Sequence, residues 1–118
     1  TRVCSTRSPW MACFDPGEVT MVPISHGEGR FVCSESLLQQ LQKQGQIATQ
    51  YVGEDGKPSY AIEHNPNGSV WAIEGITSPC GRILGKMGHS ERVGEHLYKN
   101  VPGRQEHGIF AGAALYFK

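Results

Sequence analysis

Neither sign of charge predominates in this sequence, in which eleven Lys and Arg side chains balance eleven Asp and Glu. A basic surface for displacing counterions from nucleic acid or from an anionic membrane is missing, so neither is expected as a partner. Long apolar runs are lacking too. None approaches the roughly 20 residues that a membrane span requires, and Arg2 is not followed by the apolar core of a signal peptide. A soluble, cytoplasmic chain is expected. Close cysteine pairs are also absent: Cys4, Cys13, Cys33 and Cys80 fall at irregular gaps with no C-x-x-C. Zinc ribbons and knuckles need such pairs, so no metal site is expected, and four cysteines are too few for a small disulfide scaffold. Reduced thiols are the expectation. Aromatic residues are sparse at 8%, which predicts a thin, aliphatic core.

What is present fits one domain, since 118 residues can bury a single modest core. The chain begins with Thr1, and Arg2-Val3-Cys4-Ser5 reads as an internal strand, so the chain is expected to be a piece of something longer. Pro9 breaks that strand, and Trp10, Met11, Cys13 and Phe14 form an apolar cluster destined for the core. Residues 18–24 alternate apolar and polar side chains as a strand does, with Val19 and Met21 on one side. Residues 34–45 predict a helix: Ser34 can cap it, Leu37, Leu38 and Leu41 share a face, and Gly45 ends it. Residues 46–52 read as a strand, 53–58 and 64–69 as turns, and 93–104 as irregular with a bend at Asn100-Val101-Pro102-Gly103. A closing helix over 106–118 carries Ile109, Phe110, Ala113, Leu115, Tyr116 and Phe117 as a broad apolar stripe. Strands with helices between and after them predict part of an α/β sheet.

Two stretches concentrate chemistry. Ser25-His26-Gly27-Glu28-Gly29-Arg30 packs His, Glu, Arg and two glycines into six residues, and glycines let a backbone approach a ligand closely. The plainer alternative, a hairpin tip whose His26 and Glu28 are solvated, stands beside it. The second stretch comprises two apolar runs, 70–76 and 82–88, around a Ser78-Pro79-Cys80-Gly81 turn, and it ends in His89-Ser90-Glu91-Arg92. Residues two apart share a side of an extended chain but not of a helix, so His89 and Glu91 can cooperate only at a strand end or turn. A carboxylate that accepts one imidazole N–H leaves the other nitrogen free as a base.

Several chemistries fail on residue type. A zinc protease needs H-E-x-x-H on a helix, and a zinc deaminase pairs H-x-E with a later P-C-x-x-C; neither motif is present. A serine hydrolase needs a G-x-S-x-G elbow, which is missing. A thiol nucleophile remains, yet Cys80 occupies a hairpin turn, and Cys4, Cys13 and Cys33 lie in apolar contexts where a buried thiol is inert. Two-thirds of a triad is in hand.

Ser25-His26-Gly27-Glu28-Gly29-Arg30-Phe31, Asn65-Pro66-Asn67-Gly68-Ser69, Ile73-Glu74-Gly75-Ile76, Gly81-Arg82-Ile83-Leu84-Gly85-Lys86-Met87 and His89-Ser90-Glu91-Arg92 occur in that order. Together they resemble the glutamine amidotransferase domain of phosphoribosylformylglycinamidine synthase, over nearly the whole chain. The resemblance implies a three-layer, flavodoxin-like α/β class I glutaminase with a Cys-His-Glu triad, of which residues 1–118 would be the C-terminal part. His89 and Glu91 match its His and Glu, in a motif that often reads Met-Pro-His-Pro-Glu-Arg. Gly88 and Ser90 replace both prolines, which implies a less rigid loop. The nucleophilic cysteine would lie in an upstream elbow outside this sequence. His26, Gly27, Glu28, Gly29 and Arg30 are implied near the glutamine pocket. Glutamine and the synthase part of the parent enzyme are the implied partners; ATP and magnesium are implied for that synthase part, and no cofactor for this chain. Uncovered sheet surface would favour self-association. The competing expectation is a catalytically inactive docking module of the same fold.

Overall fold

The structure is a computed structural model and describes residues 1–24, 29–92 and 108–117. Its centre is a sheet of four short strands in the order β1 (Arg2–Val3), β2 (Ile47–Gln50), β3 (Ile73–Thr77) and β4 (Leu84–Lys86). Every pairing in it is antiparallel. β3 and β4 form a hairpin with Thr77 opposite Leu84 and Gly75 opposite Lys86. The Ser78-Pro79-Cys80-Gly81 turn closes through Gly81 N–H donating to the Ser78 carbonyl at 2.9 Å. Gly81 adopts φ +76°, which a Cβ would strain.

Each face of the sheet carries a helical layer. Helix α1 (Glu35–Lys43) starts where Ser34 Oγ accepts from Leu37 N–H at 3.3 Å, and its end passes into Gly45 at φ +66°. Leu38 and Leu41 of α1 pack on Ile47 and Ile73, with Phe31, Val70, Trp71 and Ile76 at the margin. The opposite face gathers Val3, Met11, Phe14, Ala48 and Ile109, with Trp10 and Leu84 against them. Ile47 and Ala48 are consecutive and fall in different clusters because successive strand side chains point to opposite faces. Helix α2 (Gly108–Tyr116) and the 3₁₀ turn Pro9–Met11 make that second layer. The expected α/β layering is present.

Several expectations are corrected. The strand read over 18–24 contracts to isolated bridge residues, Val19, which pairs with Arg2, and Met21. The Thr20 N–H donates to the Thr1 carbonyl, and the chain then leaves the sheet. Pro23 has no N–H for a ladder, and nothing covers Val19 and Met21, which stay exposed. β3 begins at Ile73 because Trp71 and Ala72 take φ +51° and +53°. That left-handed pair costs about 1–2 kcal/mol per residue, offset where Tyr51 N–H reaches the Ala72 carbonyl and Gln50 Nε2 the Trp71 carbonyl. Leu37 is exposed. So is most of the α2 stripe: Ile109 and Ala113 are buried, while Phe110, Leu115, Tyr116 and Phe117 remain half-exposed or more. Cys4 and Cys13, expected in apolar interiors, are exposed as well. Val3 takes the inward position beside Cys4, and Met11 and Phe14 take those beside Cys13. The irregular stretch 93–104 and the outer residues of the closing helix lie outside the described residues.

Candidate active site

β4 ends at Lys86, and the chain turns through Met87 and Gly88 into a 3₁₀ turn, Ser90–Arg92. His89 sits between strand and turn, the context its spacing to Glu91 requires. Its Nδ1 lies 2.6 Å from Glu91 Oε1. A carboxylate only accepts, so Nδ1 carries the proton and Nε2 is left as the basic nitrogen. The His89 bond, helped by nearby Arg92 with Nε 4.0 Å away, holds the Glu91 carboxyl below its ordinary range. Glu91 therefore stays ionised at neutral pH.

The backbone of the pair is anchored from below. His89 N–H donates to the Pro23 carbonyl at 2.8 Å, and Arg92 N–H to the His89 carbonyl at 3.1 Å. The side chain of Glu74 is fully buried in β3. It accepts from Gly88 N–H at 2.7 Å and from the Thr49 hydroxyl at 2.5 Å, and Lys86 Nζ lies 3.2 Å away. Lys86 also donates to Ser90 Oγ at 3.0 Å and to the Gly88 carbonyl at 3.3 Å. Of these hydrogen bonds, those of Gly88 N–H and Ser90 Oγ are ones that a proline at either position could not make. A Cβ at Gly88 would stand 2.7 Å from Val22 Cγ1, so any larger residue there needs the Val22 side chain to shift.

A cavity of about 390 Å³ opens beside the pair, lined by Trp10, Leu84, Lys86, His89, Glu91 and Phe110 among others. No cysteine lines it. Cys80 lies in the hairpin turn, exposed, where Ser78 Oγ is 3.3 Å from its sulfur. A larger cleft of about 660 Å³ runs beneath Val19, Met21, Ile24, Tyr51 and His64, and includes neither His89 nor Glu91. Size does not select the site; chemistry does.

His26, Gly27 and Glu28 lie outside the described residues. Gly29 and Arg30 are described: Arg30 is exposed, and Gly29, at φ +114°, stands where a Cβ would be 3.3 Å from Met87 Cε. The foot of that loop is therefore beside the residue two before His89. The Asn65-Pro66-Asn67-Gly68-Ser69 loop clamps it. Asn67 Nδ2 donates to the Gly29 carbonyl and Phe31 N–H to Ser69 Oγ, both at 3.1 Å, while Asn65 Oδ1 accepts from Ser69 N–H. Sequence reasoning missed Glu74, Lys86, Val22 and Pro23 as supports. The available signal was an acid amid the apolar residues of one hairpin arm and a lysine in the other. Among the described residues no three His, Cys, Asp or Glu side chains group together. No helix among them is long and apolar enough to cross a membrane.

A layered α/β domain with a histidine–carboxylate pair at a strand end is of the kind that supports nucleophilic acyl transfer. The family model of the CobB/CobQ-like glutamine amidotransferase domain matches residues 1–117, and the chain belongs to that family. It is similar to phosphoribosylformylglycinamidine synthase subunit PurQ of Trichormus variabilis, 42% identical over 99 residues. It is likewise similar to that of Chlorobium chlorochromatii, at 41% over 101, and to that of Thermomicrobium roseum, at 42% over 92. These alignments cover 84%, 86% and 78% of this chain, but 40%, 42% and 38% of the respective relatives. The chain thus spans about two-fifths of the length of the curated relatives it matches.

Proposed function

We propose that this chain contributes the base and its orienting carboxylate to a glutamine-hydrolysing site that feeds ammonia to a phosphoribosylformylglycinamidine synthase. The observation that carries this reading is the 2.6 Å bond between His89 Nδ1 and Glu91, which leaves Nε2 as the base. A thiolate would attack the glutamine carboxamide, and His89 would give its proton to the departing ammonia. His89 would then take a proton from the water that cleaves the thioester to glutamate, restoring the thiol. Glu91 would hold the ring and balance the imidazolium. The nucleophile would come from a cysteine outside these 118 residues, a reading supported by the cavity beside His89, among whose lining residues there is no cysteine. Alone, the chain should release no ammonia from glutamine. Residues 26–30 would border the glutamine, since Gly29 is next to Met87. ATP and its magnesium belong to the synthase part, and no step here runs through them. Exposed apolar side chains on α2 support self-association of the isolated chain.

The test separates two nitrogen sources in the complete synthase. His89→Ala should abolish synthesis from glutamine while synthesis from added ammonia persists. Glu91→Gln should cost less, because an amide still holds the ring but does not balance the imidazolium; general-base catalysis is worth about 10² to 10⁴ in rate. Equal glutamine-dependent rates in wild type and His89→Ala would reduce the chain to an inactive docking module.

A further inference from the structure

The His89–Glu91 pair lies on a turn whose two flanking residues, Gly88 and Ser90, have no ring to stiffen them, yet both are tied to one buried ion pair. Glu74 Oε1 holds the Gly88 N–H at 2.7 Å, and Lys86 Nζ, 3.2 Å from the same oxygen, reaches Ser90 Oγ at 3.0 Å and the Gly88 carbonyl at 3.3 Å. The second carboxylate oxygen of Glu74 is taken by Thr49 Oγ1 at 2.5 Å. All three partners of Glu74 donate, which suits the carboxylate form, and its side chain has no solvent exposure. A charge so enclosed is costly unless paired and hydrogen-bonded, so its retention in a thin core calls for a local purpose. The backbone is arranged around it: Met87 N–H donates to the Glu74 carbonyl, and β4 places Lys86 opposite Gly75, whose missing side chain leaves room for Thr49 Oγ1.

We propose that Glu74 and Lys86 are positioning residues that fix the turn carrying His89 and Glu91, supplying by a buried ion pair the stiffness that prolines at 88 and 90 would supply by ring constraint. This inference rests on the reading of His89 as the glutaminase base. Lys86 also borders the cavity, so a direct grip on substrate has to be told apart from positioning. Misplacing a reacting group by about 1 Å can cost about 10²-fold in rate.

The experiment compares Glu74→Gln, Lys86→Met and Lys86→Met/Ser90→Pro in the complete enzyme, with His89→Ala alongside and the fold of each checked by circular dichroism. The first two should lower glutamine-dependent kcat by about 10- to 100-fold with KM for glutamine unchanged. Ser90→Pro should restore much of the kcat lost in Lys86→Met, because proline is accommodated at the first position of a helical turn. In the 118-residue chain labelled with ¹⁵N-histidine, both single variants should weaken the Nδ1–H signature of His89. Should either fail to fold, Ser90→Ala, which removes one anchor of the turn, carries the same expectations. Unchanged kcat with an unchanged His89 spectrum, in the presence of an inactive His89→Ala, would overturn the positioning role and leave the function standing. A raised KM with intact kcat would also overturn it, by making Lys86 a substrate contact. An active His89→Ala would instead sink the function itself.

Discussion

His89 and Glu91 are neighbours in sequence, and their bond needs only the local turn; what surrounds them needs distant residues. Val22 and Pro23 come from the segment that leaves the sheet after Thr20, and Glu74 from the adjacent strand. Among the thiols the same distinction operates. Cys80 is solvent-exposed, and the Ser78 hydrogen bond, with the Arg82 backbone and charge adding to it, holds its thiol below the ordinary value. Cys4 is exposed too, but its thiol is crowded by the surrounding protein, and this partial desolvation outweighs the Arg2 charge and raises its pKa, its sulfur lying against the Arg2 carbonyl at 3.6 Å and Gln50 Oε1 at 3.3 Å. Reactivity follows thiolate content and access. Limiting iodoacetamide at neutral pH should therefore label Cys80 before Cys4, as read by peptide mass spectrometry; the reverse order would contradict these environments. Reactivity is not catalysis, however. Cys80 does not line the His89 cavity, and Cys80→Ser should leave glutamine-dependent activity essentially unchanged.

At the scale of elements, α2 is held by close approach more than by its aromatic residues. A Cβ at Gly112 would lie 2.6 Å from the Pro9 carbonyl oxygen and 3.2 Å from that of Trp10, and one at Gly108 would lie 2.9 Å from Phe14. Backbone oxygen cannot move aside as a side-chain tip can. Gly112→Ala should thus push α2 away from the Pro9–Met11 turn, outweighing alanine's better helix propensity, at a cost of about 1–3 kcal/mol. Thermal unfolding should show a lower Tm, and an unchanged or raised Tm would mean that α2 docks differently. Helix α1 stands in contrast. Its cap, its glycine stop and its buried Leu38 and Leu41 follow from its own sequence, and only Leu37 required the tertiary structure to place it.

The whole molecule leaves unusual apolar surface in water. Phe110, Leu115, Tyr116 and Phe117, on or next to α2, have exposures of 50–64%, and Val19, Met21 and Ile24 border the second cleft. Large exposed apolar side chains in such number favour association. Sedimentation of the 118-residue chain should show mass increasing with concentration, and Phe110→Ser with Leu115→Ser should reduce it. A monomer over the full range would count against association through α2.

Local chemistry wrote several features directly into the sequence. The Ser34 cap, the Gly45 stop, the 78–81 hairpin turn and the His89–Glu91 spacing each depend on residues within a few positions of one another, so adjacent side chains and backbone angles decide them. The resemblance carried by the 25–31, 65–69 and 89–92 blocks pointed to the family in the same way. Tertiary structure alone decided the rest. Residues 18–24 have a strand's alternation but form only isolated bridge residues, Val19 and Met21; Cys4 and Cys13 face water because Val3, Met11 and Phe14 fill the inward positions; Trp71 and Ala72 turn left-handed to meet β2. Glu74 reads as an ordinary polar residue in the sequence, yet it is buried and ion-paired because Thr49 of β2 and Lys86 and Gly88 at the end of β4 converge on it. Burial and pairing are properties of such convergence, which no local pattern encodes.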